Sequence, residues 1–125
     1  MNLNSILIGS EAPQTLADYY TKLFGKPGWE DGGYTGWQIG TGGITVGPHD
    51  QVMGRNTQPG RLIWNIETAD VKGDFDRLVQ AGGTVVQEPY TPGPSDGAEM
   101  LICTFSDPDD NYFQLMSPMG PPEGS

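Results

Sequence analysis

The stretch DPDDNYFQLMSP, from Asp107 to Pro118, combines an acidic turn with a strand. Proline presets φ, and Asp and Asn side chains bond their own backbone, so residues 107–111 predict a tight turn. Residues 112–116 then alternate in character, because successive side chains of a strand point to opposite faces. Phe113 and Leu115 share one face, and the other face carries Tyr112, Gln114 and Met116. What that second face contacts is the question on which the function depends.

Before this strand, one order of elements occurs twice. A short apolar strand over 3–9 precedes an amphipathic helix over 14–24 that Gly25 ends. In the second half a strand over 61–67 precedes a helix with Asp70 as its N-cap, stopped by Gly82. Further strands are predicted over 34–39 and 43–46 in the first half, and over 84–90, 100–105 and 112–116 in the second.

This repeated order predicts an α+β fold of two related halves. A shift of 56 positions carries Ser5 onto Arg61 and Tyr19 onto Phe75, which indicates an internal repeat. We expect a first module over 1–48, a polar linker over 49–59, a second module over 60–118 and a flexible tail over 119–125. Each helix covers one face of its own sheet, which leaves the other face free to curve around a ligand.

Composition limits the possible partners. The 125 residues include 16 acidic and 6 basic side chains, for a formal charge of −10. A nucleic-acid backbone or an anionic membrane would be repelled by most of this surface, so neither is expected to bind. The plain interpretation of the charge is solubility.

Cysteine content and the start of the chain favour the cytoplasm. Cys103 is the only cysteine, so the chain forms no internal disulfide, and nothing near it in sequence would activate the thiol. We interpret it as a small buried side chain. No secretory signal and no membrane-spanning run is predicted from the sequence.

Three segments resemble the vicinal oxygen chelate superfamily of glyoxalases, bleomycin-resistance proteins and extradiol dioxygenases. They are ADYYTKLFG at 17–25, ETADVKGDFDRLVQAGGTVVQEP at 67–89 and the closing DPDDNYFQLMSP. The resemblance implies paired βαβββ modules, with mixed sheets curved around a central cavity and one main helix per module on the outside. It also implies a homodimer.

Metal-dependent members of that superfamily take their ligands from the first and last strands of each module. Carried across, these positions fall on Ser5, Thr45, Arg61 and Gln114. Zinc, nickel and iron need imidazole, thiolate or carboxylate donors, and hydroxyl, amide and guanidinium groups serve poorly or not at all. The sequence holds one His and one Cys. It is therefore closest in kind to the metal-free members, and no cofactor is expected.

Two residues are candidates for acid–base catalysis. His49 follows a strand end, where it is either a general base or an ordinary histidine of a surface loop. Glu67 ends the first strand of the second half. The acidic turn at 107–110 is either a tight turn or a site for a hard cation, although its spacing does not match an EF-hand loop.

The remaining candidates would line the cavity. Arg61 is expected at the start of a strand, where it either binds an anion or forms a surface salt bridge. Aromatic residues at 34, 37, 90 and 112 are either cavity walls or core. The loop over 90–98 is placed to cover a cavity mouth. The full set of expected ligand-binding residues is Ser5, Leu7, Thr45, Arg61, Ile63, Tyr112, Gln114 and Met116.

Two functions are consistent with these observations. The first is a metal-free protein that binds a small apolar or aromatic molecule in the cupped cavity. The alternative is an enzyme of the same superfamily, a lyase, isomerase or dioxygenase, whose chemistry has moved to His49, Glu67, Arg61 or a hard cation. A third possibility is a paralogue that acts through protein contacts. Turnover, metal content and the presence of a ligand pocket distinguish them.

Overall fold

The computed structural model describes residues 1–92 and 100–118, and the predicted tail at 119–125 and most of the loop at 90–98 lie outside them. The elements, in chain order, are β1 Ser5–Ser10, α1 Pro13–Phe24, β2 Trp29–Asp31, β3 Tyr34–Ile39, β4 Gly42–Pro48, a 3₁₀ helix Pro59–Arg61, β5 Ile63–Glu67, α2 Val71–Gln80, β6 Thr84–Tyr90, β7 Ile102–Ser106 and β8 Tyr112–Met116.

The strands form two four-stranded sheets of the same design. The first sheet has the order β1-β4-β3-β2 and the second has the order β5-β8-β7-β6. In each sheet the first strand pairs in parallel with the last, and the other neighbours are antiparallel. These are two βαβββ modules with mixed sheets, which confirms the predicted fold class.

The repeat offset differs from the predicted one. β1 begins at 5 and β5 at 63, while α1 begins at 13 and α2 at 71, so both elements recur after 58 positions instead of 56. The error arose at residues 59–61, which form a 3₁₀ turn instead of the start of β5. Pro59 favours such a turn because its ring fixes φ near the helical value.

The helix ends follow the residues that predicted them. The Asp70 side chain accepts a hydrogen bond from the Gly73 backbone N–H at 3.0 Å and caps α2. Gly25, with a φ of 88°, ends α1 in a backbone conformation that other residues rarely adopt.

Helix α1 holds the two modules together. Its Tyr20 side chain is fully buried, with its ring 6.1 Å from that of Trp37 in the first sheet and 6.1 Å from that of Trp64 in the second. The buried apolar side chains of both sheets form one cluster with α1 and α2. Both sheets therefore turn their inner faces toward α1, and neither α1 nor α2 covers their other faces, which we call the open faces.

Candidate functional site

The open face of the first sheet is lined by small and apolar side chains. Leu7 pairs in register with Thr45, Thr45 with Gly36, and Gly36 with Trp29, so the four residues form one row across β1, β4, β3 and β2. Leu7 is 54% exposed and Trp29 is 50% exposed. An apolar strip thus crosses the sheet with one hydroxyl near its middle.

Two aromatic rings lie over glycines on this open face. A Cβ at Gly36 would collide with the indole ring of Trp29, and a Cβ at Gly47 would collide with the ring of Tyr34. The Tyr34 hydroxyl donates a hydrogen bond to the Pro48 carbonyl oxygen at 3.1 Å. Glycine permits this close approach because it has no Cβ, so the two positions shape an aromatic surface.

The middle row of the open face of the second sheet carries uncharged polar groups. Gln114 pairs in register with Asn65 on one side and Thr104 on the other. Its amide nitrogen donates a hydrogen bond to the Thr104 hydroxyl oxygen at 3.1 Å. In the rows above and below, Ile63 pairs with Tyr112 and Glu67 with Met116.

Within each sheet the structure brings the predicted ligand-binding residues together. Leu7 and Thr45 are direct partners, and Ser5 lies two residues along β1 opposite Gly43. The members on the second sheet occupy two adjacent strands, β5 and β8: Ile63, Tyr112, Gln114 and Met116. Asn65 belongs beside Gln114 and was missed. The alternation of residues along β5 predicts Asn65 on the same face as Ile63. Its pairing with Gln114 depends on the register between β5 and β8, which the sequence does not give.

The expectation that Arg61 begins a strand on the pocket side is wrong. Arg61 ends the 3₁₀ turn and is exposed, and its guanidinium donates to the side-chain oxygen of Gln58. The first residue of β5 is Ile63. The role of Arg61 in ligand binding stays a prediction that now has no support from strand geometry.

His49 and Glu67 lie at opposite ends of β1. His49 lies over Gly9, where a Cβ would come within 2.8 Å of the His49 Cβ, and its Nδ1 accepts from the Gln51 N–H at 3.2 Å. Glu67 borders a groove near Ser5, at the other end of the strand. The two side chains are therefore not placed to act on one substrate together.

Cys103 is fully buried, as its interpretation as a core residue predicts. Burial raises the pKa of its thiol, which disfavours the reactive thiolate. The structure gives it no role in chemistry.

The acidic turn is a structural joint. The buried Asp107 carboxylate accepts from the Tyr20 hydroxyl at 2.7 Å and from the backbone N–H groups of Asp109 and Asn111, each at 2.9 Å. The Asn111 amide also donates to it, at 3.0 Å. Burial raises the pKa of Asp107, and these hydrogen bonds oppose that shift. We call this group the Asp107 joint: Tyr20, Asp107, Asp109 and Asn111.

Neighbouring contacts extend the joint to the first module and the linker. The Ser10 hydroxyl donates to the Asp109 carboxylate at 2.5 Å. The Asn56 backbone N–H donates to the Asp109 carbonyl oxygen at 2.7 Å, and Arg55 forms an ion pair with Asp110 at 2.9 Å. The turn therefore joins both modules and the 49–59 segment. The oxygens of Asp107 and Asp109 accept the hydrogen bonds that form this junction.

The donor set does not fit a transition metal. The positions implied by the family resemblance hold hydroxyl, amide and guanidinium groups at Ser5, Thr45, Gln114 and Arg61. Within residues 1–92 and 100–118, no group of three or more His, Cys, Asp or Glu side chains is arranged to hold a metal ion. We therefore derive no chemistry through a metal.

Two βαβββ modules in one chain, with open sheet faces, define a protein of the vicinal oxygen chelate superfamily. The chain belongs to the glyoxalase-like domain family, whose model matches residues 5–116. No curated protein matches the chain. No helix in the described part of the chain is long and apolar enough to cross a membrane.

Solved structures share this fold over nearly the whole chain. A glyoxalase-related enzyme from Fulvimarina pelagi is 20% identical with a TM-score of 0.70, over 100% of this chain and 96% of that one. A glyoxalase/bleomycin resistance protein/dioxygenase family enzyme from Burkholderia phytofirmans PsJN is 15% identical with a TM-score of 0.69, over 95% and 100%. TioX from Micromonospora sp. ML1 is 14% identical with a TM-score of 0.68, over 95% and 100%.

Proposed function

We propose that the protein binds a small apolar or aromatic molecule in a cavity built on its open sheet faces, without a transition metal. The observation that carries this proposal is the pair of rings on the first sheet, where Trp29 lies over Gly36 and Tyr34 lies over Gly47. A flat ring lying on a glycine backbone offers an apolar surface for stacking. Each 100 Å² of apolar surface covered by a ligand contributes about 2.5 kcal/mol before the costs of association.

Polar specificity would come from uncharged groups. Thr45 lies in the row that contains Trp29, and Asn65 and Gln114 lie side by side on the second sheet. Amides and hydroxyls orient a neutral ligand by hydrogen bonds, while an ionic ligand calls for an opposite charge. These groups favour a neutral molecule with one or two polar atoms.

We also propose that a second copy of the chain closes the cavity. The two open faces belong to different sheets whose inner faces both contact α1, so each open face needs a facing surface to enclose a ligand. The half-exposed Leu7 and Trp29 would be covered in such a homodimer. Sedimentation equilibrium would show a dimer if this proposal is correct, and a monomer at micromolar concentration would contradict it. We also propose that the protein is cytoplasmic.

Purification without chelators tests the binding proposal. Elemental analysis should find no stoichiometric nickel, zinc, iron or manganese, and native mass spectrometry should show a retained organic molecule. Trp29→Ala should lose that molecule, and Val79→Ala, which shortens an exposed side chain on α2, should keep it. One equivalent of a transition metal that Gln114→Ala abolishes would overturn the metal-free proposal.

An enzyme is the second candidate, and the placement of His49 is the observation in its favour. His49 lies over Gly9 at one end of the open face, with its side chain 44% exposed, so a ligand on that face would come near an imidazole. Turnover of a panel of glutathione adducts, catechols and small 2-oxo compounds tests this candidate. If none is consumed, or if His49→Ala leaves turnover unchanged, His49 is not a catalytic base.

A further inference from the structure

A groove of about 550 Å³ lies between the two sheets at the edge strands β1 and β5. It is bordered by residues 3–6, by the β3–β4 connection at 39–44 and by residues 64–67. Its apolar wall is formed by side chains of the inner faces: Ile6, Ile39, Ile44, Trp64 and Ile66. We call it the Trp64 groove. These five side chains belong to the inner faces, whereas Ser5, Asn65 and Glu67, which also border the groove, belong to the open faces, so the groove lies where the two kinds of face meet.

The indole of Trp64 has an unused hydrogen-bond donor. The residue is 8% exposed, and its ring stacks on Phe113 with the centroids 4.9 Å apart. Its Nε1 is buried and has no acceptor among residues 1–92 and 100–118. Trp37, by comparison, donates its Nε1–H to the Gly25 carbonyl oxygen at 2.9 Å. A buried donor without an acceptor is costly, and native proteins satisfy most of them.

The lining of the groove determines the charge of what it can bind. Among the described residues that border it, Glu67 is the only one with a charged side chain. None of these described residues is a lysine, arginine or histidine that could pair with an anion. The volume suits a small organic molecule, since ligand pockets generally span about 300–1,000 Å³. An apolar body with one neutral acceptor matches both the isoleucine wall and the free indole N–H.

We propose that the Trp64 groove binds a small neutral molecule with an apolar body and a carbonyl-type oxygen. That oxygen accepts a hydrogen bond from the Trp64 indole N–H. Trp64 borders the groove but its Nε1 is buried, so the bound carbonyl reaches the N–H only after a small shift of the indole ring or its neighbours. A hydrogen bond shielded from water in this way is stronger than one at the surface. The groove shares Ser5, Asn65 and Glu67 with the open faces, but none of Leu7, Trp29, Tyr34, Thr45 and Gln114 borders it, so the Trp64 site can be tested apart from the open-face proposal. Either site can exist without the other.

Indole N–H resonances of the full chain test the proposal, with acetophenone and ethylbenzene as matched probes. Both carry a phenyl ring and a two-carbon substituent, but only acetophenone has a carbonyl acceptor. Without a probe, the Trp64 Hε1 resonance should lie upfield of that of Trp37, as expected for a donor with no partner. Acetophenone should move the Trp64 resonance downfield in a saturable manner, and ethylbenzene should bind more weakly and move it little.

Variants on β5 and at Leu62, just before it, provide the controls. Trp64→Phe keeps an aromatic ring and removes the N–H, so acetophenone should bind roughly two- to tenfold more weakly while ethylbenzene is unaffected. Ile66→Ala should weaken both probes, and Leu62→Ala, which shortens a side chain 64% exposed and outside the groove, should change neither. A Trp64 resonance already hydrogen-bonded in the free protein would overturn the proposal. Equal shifts with both probes, or binding unchanged in Ile66→Ala, would overturn it as well.

Discussion

The Asp107 joint and the open faces use polar side chains in opposite ways. In the joint, Asp107 is 3% exposed and its carboxylate accepts from a tyrosine hydroxyl, an amide and two backbone N–H groups. On the open face of the second sheet, Gln114 has one side-chain partner among residues 1–92 and 100–118, which is Thr104, and Asn65 is exposed beside it. Groups that stabilise the fold are saturated, and groups available to a ligand are not.

The same difference distinguishes the two parts of the segment 107–118, the acidic turn and the strand β8 that follows it. The acidic turn at 107–111 resembles a cation site, but its oxygens accept hydrogen bonds that hold the modules together. The strand that follows it, β8, presents Tyr112, Gln114 and Met116 to the open face. Loss of the turn should therefore cost stability, and changes on the strand should affect binding.

The largest effect is expected from Asp107→Ala. Removing the carboxylate leaves the buried Tyr20 hydroxyl and two partly buried backbone donors without their acceptor, which should lower the free energy of unfolding by about 3 kcal/mol. Urea denaturation followed by circular dichroism measures this change. Asp110→Asn is the control in the same turn: Asp110 has a φ of 66°, which Asn tolerates, and its ion pair with Arg55 is on the surface. It should change stability by less than about 0.5 kcal/mol, and equal losses in the two variants would contradict a special role for Asp107.

Two tyrosines compare the joint with the open face directly. Tyr20→Phe removes a buried hydroxyl that donates to Asp107 and should lower the free energy of unfolding by about 1.5 kcal/mol. Tyr34→Phe removes a hydroxyl at the open face that donates to the Pro48 carbonyl oxygen, and should lower it by less than about 0.5 kcal/mol. A larger loss from Tyr34→Phe would reverse the comparison.

Gly36→Ala should change the open face with a smaller loss of stability. The added Cβ collides with the Trp29 ring, which is half exposed and can move outward, so unfolding should become easier by less than about 1 kcal/mol. Near-ultraviolet circular dichroism should report the displaced indole. Gly42→Ala, which adds a Cβ to open space in the same sheet, should leave that spectrum unchanged. An unchanged spectrum in Gly36→Ala would mean that Trp29 does not rest on the glycine.

The smallest effect is the pH dependence that Asp107 contributes. Because burial raises its pKa in the folded state, the native protein binds a proton that the unfolded chain has already lost in the interval above about pH 4. This contribution to stability is present below that pH and is lost as the pH rises through the folded-state pKa. Asp107→Asn should remove it, so the difference in unfolding free energy between wild type and variant should shrink with rising pH. A difference that grows over the same interval would show a lowered pKa instead.

Local patterns predicted most of the fold, because they depend on residues close together in the chain. Asp70 and Gly25 marked helix ends, and the alternation of residues 112–116 assigned the faces of β8 correctly. The start of β5 was predicted wrongly, because Pro59 favours a turn that carries the chain two residues further before pairing begins.

The site was less predictable because it depends on pairing between distant strands. The pairing of Asn65 with Gln114 and the contact of Trp29 with Gly36 depend on register. The role of Asp107 was also hidden, because the same DPDDN letters are typical of an exposed turn, and only the approach of Tyr20 shows that the carboxylate is buried. Nothing in the sequence indicates that the Trp64 indole has no acceptor within the described residues.

The central claim is that function lies on the open faces and stability lies in the acidic turn. Native mass spectrometry of protein taken directly from cells tests it with three forms: wild type, Trp29→Ala and Asp110→Asn. The account predicts the same small organic molecule on wild type and Asp110→Asn, and its loss from Trp29→Ala. Loss of the bound species from Asp110→Asn with retention by Trp29→Ala would place the site at the acidic turn and contradict the account.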